Sequence, residues 1–105
     1  MKKTEVVEII VGKAVEYGFK VEDGGMLPKI KSDNLNISVM ADRDYDKSDM
    51  AASKVWMNVT IRASVSSAGG NPTPDELLAV ADEIARGARM VAELQNMNLS
   101  FTYES

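Results

Sequence analysis

Two stretches of sequence decide the fold: LNISVMAD at residues 35–42 and KVWMNVTIRASV at residues 54–65. In both, apolar and polar residues alternate with a period of two, which is typical of a strand that is buried on one face only. The polar segment between them predicts a hairpin that pairs apolar residues, with Val39 opposite Val59 and Ala41 opposite Met57. The alternation also predicts that Val59 and Ile61 belong to the core.

The opposite face of this hairpin carries the residues that we expect to bind a partner. In the same register, Asp42 lies opposite Trp56, the only tryptophan of the chain. An aromatic side chain beside methionine, arginine and asparagine is typical of a binding hot spot. The competing interpretation is that Trp56 folds over the sheet edge or is covered by the loop after Ala41. The predicted partner-binding residues are Met40, Asp42, Trp56, Asn58, Thr60 and Arg62.

The elements around the hairpin predict a single α+β domain over residues 1–105. Apolar residues at helical spacing predict amphipathic helices over 4–17 and 74–95, with Thr4 capping the start of the first and Gly18 ending it. Shorter alternations predict strands near 19–22, 26–31 and 99–104. The order is then α-β-β-β-β-α-β, and we expect a mainly antiparallel sheet of about five strands with both helices packed on one face.

The second helix has a clear start and an unusual composition. Thr73 and Glu76 have the spacing of a capping box, and Pro74 stands at the favoured first helical position. Gly87 lies inside the helix, where glycine costs about 1 kcal/mol relative to alanine, and close packing onto the sheet would explain it. The same packing is expected of a stripe of small residues, Ala81, Ala85, Ala88 and Ala92.

The composition argues against several classes of function. The chain contains neither cysteine nor histidine, so it lacks the usual thiol nucleophile, general base and transition-metal ligands. We therefore expect no cofactor and no enzymatic activity. The net charge of −4 disfavours non-specific attraction to nucleic acid or anionic membranes. The acidic start of the second helix, Pro74-Asp75-Glu76, argues against double-stranded RNA.

The remaining features concern metal binding and location. Residues 42–49, DRDYDKSD, begin with the spacing of an EF-hand loop. However, Lys47 stands where glycine is required and Ser53 where the bidentate glutamate belongs, so we predict a solvated loop and no metal site. The sequence shows no apolar run of membrane-spanning length and no secretory signal, which leads us to expect a cytoplasmic protein.

These observations favour a non-enzymatic protein-binding module that acts through its exposed sheet face, either on a protein partner or as a homodimer. Its size and acidity suit a small accessory protein, such as a phage or mobile-element inhibitor or an acidic chaperone. Two alternatives stay open. One is a carboxylate-dependent, metal-binding hydrolase, and the other is a single-stranded nucleic-acid binder that stacks a base on Trp56.

Overall fold

The computed structural model describes residues 1–42, 52–62 and 71–102 of the 105-residue chain. The predicted order of elements is confirmed, and the five strands form one antiparallel sheet in the order β1-β2-β3-β4-β5. The second helix lies between β4 and β5 in the chain. The elements are α1 (Lys3–Glu16), β1 (Lys20–Glu22), β2 (Lys29–Lys31), β3 (Leu35–Ala41), β4 (Ala52–Ile61), α2 (Pro74–Asn96) and β5 (Ser100–Thr102).

The central hairpin has a different register from the one that the sequence predicted. Val39 lies opposite Met57 and Ala41 opposite Val55, a shift of two residues along β4. The alternation could not choose between the two registers, because a shift of two residues keeps every side chain on its own face. The predicted division into an inward and an outward face is therefore retained, but the cross-strand partners of the outward residues change.

The core lies between one face of the sheet and the two helices, as predicted. Helix α1 contributes Val6, Ile10 and Ala14, all fully buried. Inward residues of β2, β3, β4 and β5 join the same cluster, and so do Met90 and Leu94 of α2, while Val21 of β1 packs against it. The strand and turn residues of the core are Phe19, Leu27, Ile30, Leu35, Ile37, Val39, Val55, Met57, Leu99 and Phe101.

The prediction that Val59 and Ile61 belong to the core is wrong. They lie on the helix-facing side of β4, but their exposed fractions are 41% and 55%. Their cross-strand neighbours Ile37 and Leu35 are fully buried. The path of α2 explains the difference, because Gly87 of that helix lies against Leu35 and Ile37 of β3 and leaves the carboxyl end of β4 uncovered.

Helix α2 is rotated relative to the prediction. The stripe of Ala81, Ala88 and Ala92 is exposed, whereas the buried positions are Glu83, Gly87, Met90 and Leu94. These four positions follow the helical repeat and form the inner face of α2. The sequence did not indicate this face, because one of its four residues, Glu83, is charged. The predicted close packing of Gly87 is confirmed, because a Cβ atom there would lie 2.8 Å from Leu35 Cδ1.

The helix ends agree with the predicted signals at two of three places. The Thr73 hydroxyl oxygen accepts a hydrogen bond from the Glu76 amide at 3.2 Å, which confirms the cap of α2. Gly18 follows α1 with a φ of 80°, in the left-handed region where glycine is favoured. Helix α1 itself begins one residue earlier than predicted, so that Lys2 takes the N-cap position rather than Thr4.

Candidate functional site: the open face of the sheet

The open face is the side of the sheet opposite the helices, and Trp56 and Met40 form its apolar part. The two residues lie directly opposite each other on β4 and β3. Their exposed fractions are 41% and 42%, well above those of the core residues beside them in sequence. A large ring and a flexible thioether that share one exposed spot offer an adaptable apolar contact.

Asp42 fixes one side of the tryptophan. The indole Nε1–H of Trp56 donates a hydrogen bond to Asp42 Oδ1 at 2.9 Å. The amide of Asp42 in turn donates to the carbonyl of Lys54 at 3.0 Å, which holds the end of β3 against β4. The orientation of the ring is therefore set by a contact within the chain. The competing explanation for Trp56 was cover by the loop after Ala41, and apart from Asp42 that loop lies outside the described residues.

The other predicted residues extend from this spot along β4. Asn58 and Thr60 lie opposite Ser38 and Asn36 and are exposed on the same face. Arg62 follows the end of β4, and its amide donates to the carbonyl of Asn34 at 2.7 Å. The structure thus brings Met40, Asp42 and Trp56 together, places Asn58 and Thr60 beside them, and sets Arg62 at the far end of the strand.

The open face also carries four lysines that were not among the predicted site residues. Val21 and Ile30 of β1 and β2 point to the core, so their neighbours in sequence point outward. These short strands carry no long alternation. Even so, charged residues on either side of a single apolar residue could have indicated that the lysines point outward. The lysines are Lys20, Lys29, Lys31 and Lys54.

One lysine of the open face is paired and the others are available. Lys31 forms an ion pair with Glu22 on the neighbouring strand. The hydrogen bond from Lys31 lowers the pKa of the Glu22 carboxyl below its ordinary value of 4.5, despite the opposing effect of burial. Among the described residues, Lys20, Lys29 and Lys54 make no ion pair. The open face therefore keeps positive charge that a partner can meet.

Charge is segregated between the two layers of the fold. On the strands, the outward positions carry four lysines and one glutamate, a net charge of +3. The helices carry eight carboxylates and four basic side chains, a net charge of −4. Asp42 and Arg62, which flank the strands of the open face, cancel each other. An acidic chain thus presents a basic sheet face, with a single tryptophan on it.

A second candidate is a cleft of about 400 Å³ where α2 passes the end of the sheet. Glu83 is buried there, and its carboxylate accepts hydrogen bonds from the Asn34 amide at 2.9 Å and from Asn34 Nδ2 at 2.7 Å. Burial alone would raise the pKa of Glu83, but the polar groups of Ser32 and Asn34 outweigh it, so the pKa is lowered. The carboxylate is thus held ionised.

The groups of this cleft mainly join elements of the fold. Arg86 donates to the Tyr17 carbonyl at 2.9 Å and to Asp82 at 3.2 Å, which ties α2 to the end of α1. The Ser32 hydroxyl is buried near Glu83 without hydrogen-bond geometry to any described group. Because both oxygens of Glu83 already accept hydrogen bonds from the β2–β3 turn, this carboxylate anchors α2 and is not free to act as a base.

The described parts of the chain hold neither a cluster of metal-ligating side chains nor a membrane-spanning helix. Residues 1–42, 52–62 and 71–102 contain no group of three or more carboxylates placed to hold a metal ion. In the same ranges, no helix has the length and apolar character needed to span a membrane. The segment that resembles the start of an EF-hand loop falls almost entirely outside these ranges.

Comparison with protein-family models, with curated proteins and with solved structures gives no match to this chain.

Proposed function

We propose that this chain is a non-catalytic binding module whose open sheet face binds an acidic segment of a partner protein. The observation that carries the proposal is the joint placement of exposed Trp56 and Met40 with unpaired lysines on one face of an otherwise acidic molecule. Aromatic residues and methionine are enriched where proteins meet, whereas charges around them select the partner. A small accessory protein, such as a phage or mobile-element inhibitor or an acidic chaperone, would act in this way.

The expected contributions of these groups differ in kind. Covering the exposed part of Trp56 with an apolar partner side chain would stabilise a complex by roughly 1.5–3 kcal/mol. The lysines would contribute mainly to the association rate and to the choice of an acidic partner, and this contribution would fall with added salt. Trp56 should therefore control affinity, and the lysines should control selectivity and salt dependence.

A second candidate is single-stranded nucleic acid, favoured by the combination of Lys20, Lys29 and Lys54 with a ring on which a base can stack. The position of Asp42 supports the protein partner instead. Its carboxylate accepts the indole N–H of Trp56, so a base stacked on that ring would bring its phosphate near a fixed negative charge. A protein segment can place an apolar side chain there and keep its acidic groups over the lysines.

Affinity purification from the cells that express the protein, followed by mass spectrometry, tests the proposal. The tagged wild type is compared with Trp56→Ala and Lys29→Glu on the open face. Matched controls on the helical layer are Leu78→Ala and Arg89→Glu, both at exposed positions of α2. We expect one acidic protein to be captured by the wild type and by both controls, and to be lost with both open-face variants.

The nucleic-acid alternative is tested in parallel by titrating oligothymidylate and following the fluorescence of Trp56. A change that is saturable and that weakens steeply with salt would favour this alternative. Capture of the same protein by Trp56→Ala and Lys29→Glu at wild-type levels would contradict the proposed role of the open face. Loss of capture with Arg89→Glu alone would assign binding to the helical layer.

A further inference from the structure

In the part of the chain that the structure describes, one edge of the sheet is open along the second half of β4. Strand β5 pairs with β4 only from Ala52 to Lys54, and the Val55 amide donates to the Leu99 carbonyl at 3.0 Å. Beyond this point, no described strand lies beside β4 on the side away from β3. Within the described ranges, residues 57–61 therefore form an edge strand without a neighbour, which is a template for pairing with another chain.

The backbone groups that point to this edge can be identified from the ladder. Lys54 and Arg62 make their hydrogen bonds toward the β3 side, with Asp42 and Asn34. Because the direction alternates along a strand, the amides and carbonyls of Met57, Val59 and Ile61 point to the open edge. Within the described residues, none of these six groups has a hydrogen-bond partner. They supply donors and acceptors in the order that an antiparallel strand requires.

The side chains at the same edge are apolar and only partly covered. Val59 and Ile61 are exposed on the helix-facing side of β4 because α2 lies over β3 at that end. Natural edge strands are normally protected by inward-pointing charges, proline or a bulge. Residues 57–61 have none of these, and their sequence MNVTI combines β-branched residues with no charge.

We propose that this edge of β4 pairs with the same edge of a second copy of the chain, antiparallel and centred on Val59. This register places Val59 opposite Val59 of the partner, Met57 opposite Ile61, and Asn58 opposite Thr60 on the open face. Trp56 then lies opposite Arg62, so the guanidinium of one copy can reach the indole ring of the other in a cation–π contact. No two like charges oppose each other, so the edge is complementary to itself, and a second copy is the occupant that it fits.

The pairing has a consequence for the shape of the assembly. A two-fold axis perpendicular to the sheet leaves both pairs of helices on one side and joins the sheets into a single sheet of ten strands. Both open faces then lie on the same side and form one surface. The pairing is carried by the unpaired backbone of β4 and by Val59 and Ile61, so it does not depend on the function proposed above, although it also brings Trp56 and Arg62 of the open face together across the axis.

The mass in solution tests the pairing directly. Multi-angle light scattering during size exclusion should give twice 11.4 kDa for the wild type at micromolar concentrations. Val59→Asp places two carboxylates opposite each other across the axis, and we expect it to weaken the dimer about tenfold or more. The matched control is Val15→Asp, the same change at a helical position with an exposed fraction of 65%, which should stay dimeric.

A disulfide cross-link tests the same pairing without introducing a charge into β4, so it stays informative even if Val59→Asp destabilises the fold. The chain has no cysteine, so Val59→Cys introduces a single thiol at the axis. Opposed residues in a hydrogen-bonded antiparallel pair have Cα atoms about 5.5 Å apart, within the range of a disulfide. Mild oxidation should convert Val59→Cys to a disulfide-linked dimer, whereas Val15→Cys should remain mainly monomeric on a non-reducing gel.

The outcomes separate the edge pairing from other associations. A wild-type dimer together with cross-linking at Val59 but not at Val15 supports the proposal. A wild-type chain that stays monomeric at every concentration overturns it. A dimer that Val59→Asp leaves intact, with no preference for cross-linking at Val59, overturns it as well and assigns the association to another surface.

Discussion

Two glycines inside helices give a sharp test of the packing between α2 and the sheet. Gly12 lies in α1 with nothing within 4 Å of the position that a Cβ atom would occupy, whereas at Gly87 a Cβ atom would lie 2.8 Å from Leu35 Cδ1. Both positions have helical backbone, but only Gly12 has room for a methyl group. Glycine to alanine should therefore have opposite effects on stability at the two sites.

The magnitudes follow from two competing terms. Alanine is favoured over glycine in a helix by about 1 kcal/mol, and this gain is common to both variants. At Gly87 the added methyl group must displace Leu35, whose exposed fraction is 1%, and such overpacking costs about 1–3 kcal/mol. We expect Gly12→Ala to stabilise the fold by about 0.5–1 kcal/mol and Gly87→Ala to destabilise it by about 1 kcal/mol.

Thermal unfolding followed by far-ultraviolet circular dichroism measures both effects. In a domain of this size, 1 kcal/mol corresponds to about 4–8 °C in Tm, so the two variants should move in opposite directions from the wild type. Leu35→Val removes part of the obstructing side chain, and the double variant with Gly87→Ala should be more stable than the sum of the single effects predicts. A Gly87→Ala variant that gains as much stability as Gly12→Ala would refute the reasoning.

Three further predictions concern a buried carboxylate, the open face and the uncovered end of β4. Glu83→Gln keeps the shape but loses a charged acceptor for Asn34, and should cost about 1.5–3 kcal/mol near neutral pH in urea unfolding. Because the pKa of Glu83 is lowered in the folded state, its stabilising effect is present above the ordinary value of 4.5 and is lost as pH falls through the folded pKa. The difference between wild type and Glu83→Gln should therefore shrink on acidification, and a constant difference would contradict the assignment. Trp56→Ala should change monomer stability by about 1 kcal/mol or less, since its ring lies outside the core. Unfolding of this variant at room temperature would place Trp56 in the core. Val59→Ala should cost less than about 1 kcal/mol in the monomer, whereas Ile37→Ala, directly opposite it, should cost about 2–5 kcal/mol. Equal losses of stability in Val59→Ala and Ile37→Ala would show that the carboxyl end of β4 is covered.

The sequence predicted the faces of the strands better than the contacts between them. Period-two alternation assigned Trp56 to the outward face, and a shift of register by two residues left that assignment unchanged. The same periodicity could not predict how far a helix covers a strand. Val59 and Ile37 have equivalent patterns, yet only Ile37 is buried, because burial depends on where α2 crosses the sheet.

The inner face of α2 was mispredicted for a related reason. An apolar stripe is a good guide when the buried residues are apolar, but α2 buries Glu83 and Gly87 in the row that faces the sheet. A glutamate can occupy such a position because Asn34 satisfies both of its oxygens. Asn34 is 49 residues away in sequence, and no local pattern in α2 indicates this partner.

Charge segregation is the feature that the sequence conceals most completely and that bears most on the proposed binding function. Each half of the chain has the same net charge, so no acidic or basic block stands out. The lysines of the open face come from three strands separated in sequence, and only the sheet brings them together. A face that is basic on an acidic molecule attracts acidic groups locally, while the helical layer repels them. An acidic partner would therefore be guided toward the side of the molecule that carries Trp56.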